Sequence, residues 1–100
     1  MPKGYWIAHV DVTDLDAYKA YAAANAGPFR KYGARFLVRG GEFESVEGRA
    51  RSRHVVIEFP DYAAAIACYR SPEYRDAKAL RLGKADADIV VIEGYDGPQP

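Results

Sequence analysis

The sequence holds one cysteine, one methionine and one tryptophan among 100 residues. With Cys68 as its only thiol, the chain cannot close an internal disulfide, and we expect a reducing, cytoplasmic location. Long apolar runs are also missing, since His9 and Asp11 interrupt the N-terminal segment. The chain is therefore predicted to carry neither a signal peptide nor a membrane span.

An excess of one charge sign is missing too. Lysine plus arginine and aspartate plus glutamate each number 14, which gives a formal net charge of zero. Proteins that bind nucleic acids or membrane surfaces rely on concentrated positive charge, so we expect neither kind of partner. The sequence also lacks a nucleotide-binding loop, zinc-ligand spacing, a nucleophile elbow and a haem attachment motif, so we expect no cofactor and no metal.

The sequence does contain regular patterns of apolar residues. Alternating apolar residues predict strands, and apolar stripes with capping residues predict helices, the first of which should break near Gly27-Pro28. The predicted strands span 4–12, 34–41, 51–59 and 87–95, and the predicted helices span 13–33, 61–70 and 71–84.

This order is βαββαβ with an extra helix before the last strand. Right-handed crossovers then give a four-stranded antiparallel sheet with its helices on one face, an α+β, ferredoxin-like fold. We expect one domain over residues 1–96 and a polar C-terminal tail over 97–100.

The sheet face away from the helices is predicted to be mixed in polarity. Strand alternation places large apolar residues there beside a set of polar ones, namely His9, Asp11, Arg35, Arg39, His54 and Glu58. Such a face suits half-burial against a second copy of the sheet, which predicts a homodimer with a polar-lined cavity between the subunits. The alternative is an ordinary solvated face.

Several motifs resemble one family. "VRGG" at 38–41, the segment from Arg53 to Phe59, "YRSPEY" at 69–74, Arg81 and "IEGY" at 92–95 are similar to the bacterial domain-of-unknown-function family 1330. That resemblance implies a dimeric α+β barrel, in which ferredoxin-like protomers pair through their sheets. Relatives in the wider superfamily include cofactor-independent monooxygenases and isomerases, so either activity would be a fold-level analogy.

Arginines are the leading candidates for ligand binding. Arg39 precedes two glycines at a strand end, where its guanidinium could clamp a carboxylate; alternatively it pairs with Asp11 or Glu58 across the sheet. Arg53 has the opposite strand parity from Glu58 and is expected at the rim of the cavity. The full predicted ligand-binding set is Arg39, His9, Asp11, Arg53, Tyr69 and Tyr74.

Two strand carboxylates, Glu58 and Glu93, are predicted as catalytic bases because their apolar surroundings would favour proton transfer near neutral pH. Each could instead be a salt-bridge partner. His9 and His54 titrate near neutrality but lack a metal-ligand spacing, and Cys68 is expected to be a small buried apolar residue.

The sequence thus predicts a small dimeric protein that binds or transforms a small organic molecule, either anionic or neutral, without a cofactor. The alternative is a structural or stress-related dimer without chemistry. An RNA-binding module fits less well, because strand three offers His54 and Val56 where RNA-recognition domains place stacking aromatics.

Overall fold

The computed structural model describes residues 2–100. Its eight elements follow the predicted order, with the first predicted helix divided in two. They are β1 (Gly4–Val12), α1 (Leu15–Ala24), α2 (Ala26–Lys31), β2 (Arg35–Arg39), β3 (Arg53–Phe59), α3 (Tyr62–Tyr69), α4 (Pro72–Ala79) and β4 (Ala85–Glu93).

Local chemistry fixes where three helices begin. The side chains of Asp14, Asp61 and Ser71 each accept a hydrogen bond from a backbone N–H in the first turn of α1, α3 and α4 respectively. These are the residue types that satisfy otherwise unpaired donors at helix starts. The predicted caps at Asp61 and Ser71 are confirmed, and Asp14 rather than Thr13 caps α1.

The first helix breaks at Asn25, two residues before the predicted Gly27-Pro28 position. Pro28 has no N–H to donate to the carbonyl four residues earlier, so the ladder of hydrogen bonds is interrupted at Ala24. Helical bonding resumes when the Phe29 N–H donates to the Asn25 carbonyl at 3.0 Å. The break turns the Asn25 side chain inward, where it is 6% exposed.

The four strands form one antiparallel sheet in the order β2-β3-β1-β4. On one face, Trp6 lies between Ile57 of β3 and Val91 of β4 and packs beneath the helices. Its indole N–H donates to the Ala65 carbonyl of α3 at 2.9 Å. The predicted four-stranded antiparallel sheet is confirmed.

None of the helices within residues 2–100 is long and apolar enough to cross a bilayer.

A β-bulge changes the predicted facing of β2. Phe36 pairs with Ile57, but Val38 pairs with Val56, so the register shifts at Leu37. Arg39 consequently lies opposite Val55, on the helix-covered face. The prediction that Arg39 shares a face with His9 and Asp11 is wrong, because the inserted residue reverses the alternation.

The opposite face, here called the outer face, is otherwise as predicted. Register and burial place His9, Asp11, His54 and Glu58 there, and Arg35 joins them opposite Glu58. The outer face also exposes large apolar side chains, including Val38, Val90 and Ile92.

Candidate anion-binding cavity

A small cavity lies between the helices and the sheet, on the face opposite to the outer face. Its volume is about 40 Å³, and it opens to solvent. Helices α1 and α2 form one wall, and strands β1 to β4 form the other. Most of the lining is apolar or aromatic, and the polar side chains in it come from Tyr18, Tyr21, Asn25, Arg39, Arg53 and Arg81.

Three arginines line this cavity, and each guanidinium lies over an aromatic ring. The Cζ atom of Arg39 is 4.1 Å from the Phe36 ring centroid. The corresponding distances are 5.5 Å from Arg53 to Tyr18 and 5.0 Å from Arg81 to Tyr21. Such cation–π contacts orient a guanidinium without neutralising its charge.

No carboxylate compensates these cations. Within residues 2–100, the salt bridges involve Lys31, Arg51 and Arg75, and none involves an arginine of the cavity. The predicted alternative for Arg39, a pairing with Asp11 or Glu58, is therefore not observed. Of the three, only Arg81 is buried, and a buried positive charge without a counter-charge is costly; Arg53 is half-buried and Arg39 is exposed.

Gly40 makes room for one of the three arginines. Its φ of +67° is a left-handed conformation that favours glycine, and its N–H donates to the His54 carbonyl at 2.9 Å. A Cβ at this position would overlap Nη1 of Arg53. The "RGG" motif therefore both turns the chain and allows the Arg53 guanidinium to lie against the backbone.

Three buried polar atoms around the cavity have no hydrogen-bond partner among residues 2–100. They are Asn25 Oδ1, Arg53 Nε and Arg81 Nε. Asn25 and Arg81 are each only 6% exposed, so bulk water reaches them poorly. Buried polar groups are nearly always satisfied in native proteins, and either an ordered water or a ligand in the cavity would supply the partner.

Arg81 is held by two buried tyrosines. Its Nη2 donates to the Tyr74 hydroxyl at 3.4 Å, and the hydroxyls of Tyr74 and Tyr21 are 2.7 Å apart. Burial acts to lower the pKa of Arg81, but the hydrogen bond and charge interaction with Tyr74 outweigh it and raise the pKa. Burial raises the pKa of Tyr74 in turn, so at neutral pH Arg81 is charged and Tyr74 is protonated.

The predicted ligand-binding residues divide between several places. Arg39 and Arg53 line this cavity. The predicted parity of Arg53, opposite to Glu58, places it on the helix-covered face with Val55 and Ile57, away from the outer face on which the cavity between subunits was predicted. Tyr74 is fully buried behind the lining. Tyr69 lies outside the cavity, where its hydroxyl accepts from Lys78 Nζ at 3.1 Å.

Asp11 anchors a loop on the outer face. It accepts from the Ser52 N–H at 2.8 Å and from Arg51 Nη1 at 2.9 Å, and Arg51 also donates to Asp88. The backbone hydrogen bond from Ser52 is the main cause that lowers the pKa of Asp11. These contacts give Asp11 a structural role at the C-terminal end of the segment between β2 and β3.

The predicted bases lie away from the cavity. Glu58 is on the outer face, where Tyr5 donates to it at 3.5 Å, and Glu93 is exposed at the end of β4. His9 and His54 pair across the strands, with their Nδ1 atoms 2.8 Å apart. Within residues 2–100, no group of three or more potential metal ligands comes together.

Cys68 is fully buried in α3, and burial raises the pKa of its thiol to about 12. The expectation of a small buried apolar residue is confirmed.

Sequence reasoning did not assign four polar residues of the lining to a site: Tyr18, Tyr21, Asn25 and Arg81. The two tyrosines lie on the apolar stripe of α1 and are indistinguishable from core residues by pattern. Arg81 lies in the turn that follows α4, where arginine is usually exposed, and only the structure shows that it is buried. In the sequence, its one distinguishing feature is its place among the motifs that resemble family 1330.

Solved structures of similar fold are numerous. The RPA0582 protein of unknown function from Rhodopseudomonas palustris superimposes with a TM-score of 0.75 at 19% identity, covering 96% of this chain and 85% of that one. A dimeric ferredoxin-like protein of unknown function from Thermobifida fusca gives 0.61 at 16% identity, with 92% and 91% covered. SnoaB from Streptomyces nogalater, a cofactor-independent oxygenase, gives 0.62 at 11% identity, with 100% and 97% covered.

These similarities confirm the α+β, ferredoxin-like fold. No curated protein matches the sequence. The model of the domain of unknown function DUF1330 matches residues 3–95, which is nearly the whole chain. The resemblance found in the sequence motifs is thereby confirmed, and the chain belongs to the DUF1330 family.

Proposed function

We propose that this protein binds a small organic anion, most simply a carboxylate, in the cavity between its helices and its sheet. The observation that carries the proposal is the convergence of Arg39, Arg53 and Arg81 on one cavity without a carboxylate partner within residues 2–100. A guanidinium binds a carboxylate through two parallel N–H donors. The bound anion would supply the missing counter-charge.

The size of the cavity limits which part of the ligand it encloses. Trp6, Val55 and Ile57 form its floor, and Phe29 closes one side. A volume of about 40 Å³ is little more than the roughly 30 Å³ that one water molecule occupies in the liquid, so the cavity admits a carboxylate head group rather than a whole ligand. The apolar part of the ligand would extend through the opening to solvent.

The side chains that line the cavity also limit which reactions could follow ligand binding. Its titratable side chains are tyrosines and arginines, and neither Glu58 nor Glu93 is among them. A reaction here would therefore depend on stabilising negative charge on the ligand rather than on a carboxylate base. SnoaB, which shares the fold, is a cofactor-independent oxygenase, and charge stabilisation of this kind is compatible with a cofactor-free reaction.

We also propose that the outer face pairs with a second copy of the chain. Val38, Val90 and Ile92 are exposed there, and half-burial of these side chains by a partner sheet would remove them from water. The dimeric state of the Thermobifida fusca protein supports this proposal. The anion-binding cavity lies on the other side of the sheet, so each protomer would carry its own site.

Calorimetric titration of the purified protein with butyrate and with butyramide tests the proposal. The two compounds have similar shape but differ in charge, so we expect butyrate to bind at least about tenfold more tightly. Arg53→Gln should remove most of this preference, whereas Arg75→Gln, on the exposed surface of α4, should leave it intact. Equal affinities for the two compounds would reject an anion site.

A further inference from the structure

We infer that Tyr21 donates its hydroxyl proton into the cavity, toward the bound anion, because Arg81 and Tyr74 fix the direction of a buried hydrogen-bond chain. This inference rests on the proposed function, since it assigns one more contact to the same ligand. It also makes Tyr74 a positioning residue, which acts on the ligand only through Tyr21.

The direction of the chain follows from donor counting. Arginine has N–H donors and no acceptor, so the Tyr74 oxygen must accept the hydrogen bond from Arg81 Nη2. Tyr74 is 0% exposed, and within residues 2–100 its hydroxyl has hydrogen-bond partners only in Arg81 and Tyr21. Its own proton can therefore reach only the Tyr21 oxygen, 2.7 Å away.

The reverse direction leaves a buried donor unpaired. If Tyr21 donated to Tyr74, the Tyr74 oxygen would accept twice and its proton would have no acceptor. An unsatisfied buried donor costs about 1–3 kcal/mol. Burial also raises the pKa of Tyr74, so the proton that must be directed stays on its oxygen at neutral pH.

Once Tyr21 accepts from Tyr74, its own proton must point elsewhere. Tyr21 lines the cavity, and the Arg81 guanidinium lies 5.0 Å from its ring. The free proton is thus directed to the space where the arginines would hold an anion. Each hydrogen bond of the chain polarises the next, so the positive charge of Arg81 strengthens Tyr21 as a donor.

The direction can be measured without any ligand by NMR of protein labelled with ¹³C at tyrosine Cζ. In equal parts of H₂O and D₂O, a slowly exchanging hydroxyl doubles the Cζ signal of its own residue. We expect a doubled signal for Tyr74 and a single one for Tyr21, whose proton exchanges with cavity water. Every other pattern for these two residues overturns the inference.

The contact with the anion is tested by butyrate titration of Tyr21→Phe. We expect binding about tenfold weaker than in the unmutated protein, as for a lost hydrogen bond to a charged group. Tyr32→Phe is the matched control, because Tyr32 packs against the core outside the cavity, and its affinity should not change.

The butyrate titration and the tyrosine Cζ signals test different claims, so one claim can be rejected without the other. Absence of butyrate binding to the unmutated protein would reject the proposed function, while the Cζ signals would still decide the proton direction. Normal butyrate binding by a folded Tyr21→Phe variant would overturn the role of Tyr21 and leave the arginine site standing.

Discussion

At the scale of single residues, the proposed function depends on the three arginines that line the cavity. Arg81 is buried, Arg53 is half-buried and Arg39 is exposed, and each guanidinium lies over an aromatic ring rather than beside a carboxylate of residues 2–100. A ring holds the plane of the guanidinium and leaves its N–H edge free. The proposed anion would therefore meet guanidinium groups whose orientation the rings restrict before it binds.

At the same scale, Cys68 should be unreactive in the folded protein. Burial raises its pKa to about 12 from an ordinary value of 9.0, so the folded state keeps the thiol protonated. The resulting stabilisation is complete below pH 9.0 and is lost as the pH rises toward 12. We expect a thiol reagent at pH 8 to label the folded protein only through unfolding, with a rate that urea increases.

Two observations would contradict this expectation for Cys68. One is labelling at the rate of a free thiol in the absence of urea, which would mean that the thiolate is accessible in the folded state. The other is an identical loss of stability above pH 9.0 in Cys68→Ala, which would mean that the thiol does not contribute to it.

At the scale of secondary-structure elements, the C-terminal end of β2 positions two of the three cavity arginines, Arg39 and Arg53. The bulge at Leu37 turns Arg39 to the cavity, and Gly40 then admits the Arg53 guanidinium. A change of one residue in this segment should therefore alter ligand binding from outside the lining itself.

Gly40→Ala should weaken butyrate binding by about tenfold or more, because the new methyl group displaces Arg53. The positive φ should add about 1–2 kcal/mol of instability. Gly48→Ala, which also has a positive φ but meets no neighbouring atom, should share the instability and keep normal binding. Gly41→Ala should change neither property. Normal binding by Gly40→Ala would show that Arg53 is not needed.

The ends of secondary-structure elements were predictable from the sequence where the residues that determine them are close together in the chain. Caps such as Asp61 and Ser71 act within one helical turn, so the residue types alone located the helix starts. The bulge was not predictable, because "RFLVR" contains no glycine or proline to mark it and only pairing with β3 shows the inserted residue. The grouping of Tyr21 with Arg81 was hidden for a similar reason: they are distant in sequence and meet only after folding.

At the scale of the whole molecule, the two faces of the sheet differ, and the two proposals assign them separate roles. The helix-covered face holds the cavity, and the outer face carries apolar side chains that remain exposed in a single protomer. Association through the outer face would stabilise the fold without blocking the cavity. The two proposals can therefore be tested independently.

Val90→Lys should convert a dimer into a monomer, as measured by sedimentation velocity. Val90 lies opposite Ile7 on the outer face and is 53% exposed, so a lysine there would place charge between the two sheets. Leu15→Lys is the control, because Leu15 is 60% exposed at the start of α1, away from this face. A dimer that persists in Val90→Lys would reject the outer face as the interface.

The central claim is that Arg39, Arg53 and Arg81 together bind a small organic anion. The most direct measurement is the ¹⁵N NMR spectrum of the arginine side chains, assigned by substitution and followed during a titration with butyrate. We expect the Nε–H signals of these three residues to shift with one common dissociation constant, while those of Arg70 and Arg75 stay in place. A spectrum in which Arg70 and Arg75 shift together with the three cavity arginines, or in which no arginine signal shifts, would contradict the claim.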